Sequence, residues 1–147
     1  MTTTTSGRTV PPGPPPAGAT PSFTLVEMDT PEGIVAGGAF NVTVRFTGNP
    51  GQPIWPLIRD SGAGTYKIEL FAESVGPGGE ISLNGPAGAV GALLAATDAY
   101  TVPIAVPAGT LAARGLYELG AVITFTNAGA AVGGLAAYIG DALVLVH

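Results

Sequence analysis

The chain has 147 residues, of which 23 are glycine and 14 proline, and this composition without a collagen-like period excludes both a helical bundle and a triple helix. Cysteine is absent, which excludes disulfides, thiolate metal sites and Cys–His catalysis, and a net charge of −5 lacks the basic footprint that nucleic-acid binding needs. Only 10% of residues are charged, against about 25% in an ordinary soluble domain, and the mean hydropathy is +0.44, so part of the surface is expected to be covered by another surface.

Residues 1–22 read as an arm ahead of a single β domain over residues 23–147. A threonine run precedes Pro11, Pro12, Pro14, Pro15 and Pro16. Proline blocks helix and sheet ladder and favours the polyproline II conformation, so the arm spans roughly 60–70 Å when extended. Two readings stand: a disordered leader, or an arm whose prolines dock on a neighbouring subunit. Residues 1–10 hold no apolar core of a secretory signal, and no run of 18 apolar residues suggests a membrane span. The expected location is a virion or cytoplasmic assembly, or an extracellular surface if the sequence is a fragment of a longer chain.

Strands follow in order. Residues 23–28 alternate weakly, and residues 29–33 form a turn around Pro31. Residues 39–47 alternate cleanly, with Phe40, Val42, Val44 and Phe46 on one side. Residues 52–64 are a longer connection carrying Trp55, which either plugs the core or stands exposed as a contact residue. Residues 65–75 put Tyr66, Ile68, Leu70 and Ala72 inward and Lys67, Glu69, Phe71 and Glu73 outward. A glycine turn leads to a short partner strand at 80–83. Residues 84–99 are rich in glycine and alanine, with room for one helical turn. Residues 100–106 alternate again, and Pro103 marks an edge strand because it cannot donate to a ladder.

Residues 115–126 are the clearest strand. Tyr117, Leu119, Ala121, Ile123 and Phe125 lie on one uncharged side; Leu116, Glu118, Gly120 and Val122 lie on the other. Residues 127–134 read as a flexible loop, and residues 135–147 as the last strand, with a bulge at Gly140-Asp141. The lead-in Gly115-Leu116-Tyr117 resembles the tyrosine corner of immunoglobulin-like sandwiches. The resemblance implies that the Tyr117 hydroxyl reaches back to the backbone of residues 108–114. The expected fold is all-β, a two-sheet antiparallel Greek-key sandwich, with a jelly roll as the alternative. The cysteine pair of antibody domains is missing.

No constellation for catalysis emerges. His147, the only histidine, is the last residue, and zinc would need a cluster of such ligands. Glu69 and Glu73 on one strand stand about 13 Å apart, wide for a glycosidase pair. Asp29 and Glu32 match no EF-hand spacing, and residues 76–79 lack the ending of a phosphate loop. No cofactor is expected. The more telling residues are apolar ones on faces that should be polar, Phe71, Leu116 and Val122, with Tyr138 of the last strand as a further interface candidate. The last strand alternates Tyr138, Val144 and Val146 against Ile139, Leu143 and Leu145 and is apolar on both sides. Such a strand is buried on both sides, by residues 87–99 of this chain or by a partner subunit. The leading expectation is therefore a structural subunit, such as a capsid decoration or shell accessory protein, with itself or a scaffold as partner. A carbohydrate- or polymer-binding module stacking on Trp55, and an adhesive surface module, are the alternatives.

Overall fold

The computed structural model describes the backbone of residues 7–10 and the whole of residues 22–147. It is built mostly of strands in two sheets, with one short helix among the described residues, an all-β fold. Chain order is β1 (Gly7–Val10), β2 (Phe23–Pro31), β3 (Gly33–Ile34), β4 (Phe40–Gly48), α1 (Ile54–Arg59), β5 (Gly64–Ser74), β6 (Glu80–Ser82), β7 (Ala89–Ala92), β8 (Ala99–Val106), β9 (Gly115–Asn127) and β10 (Ala130–Val146). One sheet runs β1-β2-β4-β8 and the other β3-β10-β9-β5-β6, with β7 also on β5. Pairing is antiparallel except between β3 and β10. β8, with Pro103, is an edge strand as expected.

The alternation read from the sequence places the core. Val42, Val44 and Phe46 of β4 and Val102, Ile104 and Val106 of β8 meet Ile68 and Leu70 of β5 and Leu119, Ile123 and Phe125 of β9 in one buried cluster. The Tyr117 hydroxyl donates to the Ala113 carbonyl at 2.9 Å, as its lead-in implied. Tyr117→Phe keeps the buried ring and removes this bond, so it is expected to cost about 1 kcal/mol, read as a shift of the urea midpoint.

Several local expectations need correction. Residues 52–64 contain α1, despite Pro53 and Pro56. Pro53 is the N-cap, and Pro56 falls in the first turn, where a backbone N–H has no intrahelical acceptor to lose. Residues 127–134 hold no long loop: β9 and β10 join through Ala128 (φ 52°) and Gly129 (φ 83°). Two consecutive left-handed residues form the tight hairpin turn that suits the twist of the strands. Within residues 84–99, β7 replaces the helical turn, because Gly91 lets the Tyr66 ring lie against its backbone. In the arm, β1 pairs with β2, whereas Pro11, Pro12, Pro14, Pro15 and Pro16 lie outside the described residues.

The last strand's two faces are also reassigned. The expected bulge is present: the register shifts between Ile139 and Ala142, and Asp141 has φ 65°. An extra residue reverses the parity of everything after it. Val144 and Val146 therefore point into the core, and Leu143 and Leu145 share the outer side with Tyr138.

Candidate docking face

The outer face of the β10-β9-β5-β6 sheet gathers the sequence-selected residues Phe71, Leu116, Val122 and Tyr138. Register explains how. Phe71 opposes Gly120 on β9, Val122 opposes Tyr138 on β10, and Leu116 opposes Leu145. The Phe71 and Tyr138 rings stack at 6.0 Å between centroids and 24° between planes. They lie flat because glycine makes room beneath them. A Cβ on Gly120 would stand 2.6 Å from Phe71 Cζ, and one on Gly140 would stand 2.7 Å from the Tyr138 hydroxyl. The sequence marked Gly140 only as part of a bulge and Gly120 only as an outward position, with no sign that either makes room for a ring.

Two apolar areas result. Phe71, Tyr138 and Val122 form one. Leu116, Leu143, Leu145 and Val75 form the other, each large apolar side chain there more than 40% exposed. Residues 87–99 do not cover them: β7 extends the same sheet beside β5, and Leu93 turns inward to the core.

Between the two areas runs an acidic row. Glu80 opposes Glu73, and Glu73 opposes Glu118. Like charges placed directly opposite on neighbouring strands repel. The Glu118 carboxyl is held above the usual carboxylate range, first by a side-chain hydrogen bond with Asp141, then by desolvation and by the charges of Asp141 and Glu73. The Tyr138 phenol is likewise raised, by desolvation and then by Glu118, Asp141, Glu73 and Glu80. The sign follows for stability. A carboxyl with a raised folded-state pKa binds its proton more tightly when folded, so stability falls as pH rises through its titration. Glu118→Gln, which mimics the protonated form, is expected to match the parent at pH 3 and exceed it in urea midpoint at pH 7.

The other sheet presents a different outer face. There Arg45 bridges Glu27 at 2.7 Å and Asp29 at 2.6 Å, so both carboxylates share a cation. Arg59 is engaged by Asp60 and Asp98, and Lys67 by Glu69.

Trp55 does not belong to the face. It is fully buried on α1, and its Nε1 donates to Asp98 Oδ1 at 2.8 Å. Its indole packs against Phe23, Tyr100 and Phe125. The exposed-contact reading of Trp55 is thereby corrected: a large ring that fills the end of the core gains more from burial than it would at the surface. No helix among the described residues is long and apolar enough to cross a membrane. No protein-family model and no curated protein matches the chain.

Proposed function

We propose that this chain is a non-enzymatic structural subunit of a large assembly, of the capsid-decoration or shell-accessory kind, and that it docks through the outer β10-β9-β5-β6 face. The observation that carries this reading is the exposure on one face of Tyr138, Leu116, Leu143, Leu145 and Val75, with Phe71 and Val122 half-buried beside them, in two apolar areas of a kind that marks an interaction surface. A protein partner suits this surface better than nucleic acid, given the acidic row and the net charge of −5. The proline arm supplies a second contact, and a virion or cytoplasmic assembly is the proposed setting.

We further read the two sheets as an immunoglobulin-like Greek-key sandwich. Taking β2, β4 and β8 as strands A, B and E, and β5, β9 and β10 as C, F and G, gives the order A-B-E facing G-F-C. The Tyr117–Ala113 bond at the start of the F-position strand supports this assignment. Buried Leu119 stands two residues on, where antibody domains carry cysteine. The sugar- or polymer-stacking alternative loses its central residue, because Trp55 is inside.

The test is solution mass by light scattering, for the full chain alone and with a candidate scaffold from its source particle. Beside it run a chain lacking residues 1–22 and a Tyr138→Ser/Leu145→Ser chain. Docking that is weakened by both changes supports the proposal. Undiminished docking by the double variant removes the face, and a monomer with no affinity for any component of its source removes the assembly role.

A further inference from the structure

We infer that the β10-β9-β5-β6 face is built for a partner protein whose docking surface is apolar and crossed by lysine or arginine, and that this face opposes pairing with a second copy of itself. The inference deepens the proposed docking role and rests on it. Its carrier is the position of the acidic row. Along β9 the outer side reads Leu116, Glu118, Gly120, Val122, so charge sits between two apolar areas rather than at their rim. Across the sheet the same level is occupied by Glu80, Glu73 and Glu118 in register, with Asp141 hydrogen-bonded to Glu118. Three of the ten acidic residues of the chain therefore lie in register through the middle of this apolar face, and a fourth, Asp141, stands beside them at the bulge of β10.

Such an arrangement costs stability in the free chain, since carboxylates in register repel. It becomes favourable once cations are laid along the row, where drying of the flanking apolar areas strengthens each charge pair. A second copy, stacked face to face so that the apolar areas meet, would bring row against row. Like-charge juxtaposition of this kind excludes the wrong partner. The basic side chains nearby do not relieve it, because Lys67 is paired with Glu69, and Arg45 serves Glu27 and Asp29 on the other sheet.

A charge-swapped copy of the chain is a defined probe with the required chemistry. The variant Glu73→Lys/Glu80→Lys/Glu118→Lys keeps the apolar areas and reverses the row. Mixed with the parent chain at pH 7 in low salt, it is expected to form a one-to-one complex by sedimentation, while each chain alone stays outside that association. Raising the salt to about 0.5 M is expected to weaken the complex at least tenfold, because screening shortens the reach of exposed charges. Tyr138→Ser/Leu145→Ser in the parent partner is expected to abolish it. A milder Glu118→Lys single variant, whose fold is checked by its melting transition, repeats the test should the triple variant fail to fold.

The inference is overturned if the parent self-associates at pH 7 in a way that Tyr138→Ser/Leu145→Ser dissolves; the face then takes a second copy, and the docking role survives. It is equally overturned if neither folded swapped variant binds the parent. Should Tyr138→Ser/Leu145→Ser also leave docking to the source scaffold unchanged, the docking role of the face fails as well.

Discussion

Gly48→Ala is expected to destabilise the chain by about 3 kcal/mol, the top of the usual range for overpacking. A Cβ at this position would lie 1.9 Å from Trp55 Cε2 and 2.2 Å from Cδ2. The ring has nowhere to go. Phe23, Tyr100 and Phe125 meet it within about 6 Å between centroids, and Asp98 holds its Nε1. The backbone is equally fixed, because the Gly48 N–H donates to the Asp98 carbonyl at 2.9 Å. Urea unfolding followed by circular dichroism measures the loss, and tryptophan emission reports whether the indole is pushed toward water. A midpoint within 0.5 kcal/mol of the parent, with emission unchanged, would show that the indole pocket is looser than this packing implies.

Much of this architecture was legible because β-strands write their burial at period two. Phe40 to Phe46 and Tyr117 to Phe125 each needed only local alternation to be placed. The outward positions of Phe71, Leu116 and Val122 came from the same arithmetic, and register then brought them onto one face with Tyr138. What was not legible depended on partners distant in the chain. Trp55 and Asp98 are 43 positions apart, and nothing local joins them. The acidic row is another case, since Glu80, Glu73 and Glu118 become neighbours only through sheet register. The parity of Leu143 to Val146 failed for a simpler reason. The bulge at Gly140-Asp141 was visible, but its effect on every later residue has to be carried through. The hairpin at Ala128-Gly129 was hidden because alanine rarely accepts a left-handed backbone, so the usual Asn-Gly signal was absent.

Asp98→Ala is expected to cost about 1–3 kcal/mol, because it leaves a buried indole N–H without its acceptor. Asp98 Oδ1 accepts from Trp55 Nε1 at 2.8 Å and from Arg59 Nη1 at 2.7 Å. Arg59 turns its other nitrogens to Asp60 at 2.8 Å each, and Asp60 Oδ1 accepts from the Ala96 N–H. One cluster thus ties α1 to the loop before β8. The hydrogen bond from Trp55, then that from Arg59, holds the Asp98 carboxyl below its ordinary value. Arg59, and then the Ala96 N–H, lower Asp60 to about 2. Both carboxylates therefore bind protons less tightly folded than unfolded. Their contribution is fully present above the unfolded value of about 4 and is lost as pH falls through the folded one. The parent is expected to lose urea midpoint between pH 4 and pH 2. Asp98→Asn keeps an oxygen for the indole but not the charge for Arg59. It is expected to start lower at pH 7 and decline less steeply toward pH 2, the remaining slope belonging to Asp60. Parallel decline of parent and Asn variant down to pH 2 would assign the acid sensitivity to other carboxylates, and an unchanged midpoint for the Ala variant would remove the cluster from the stability of this end of the core.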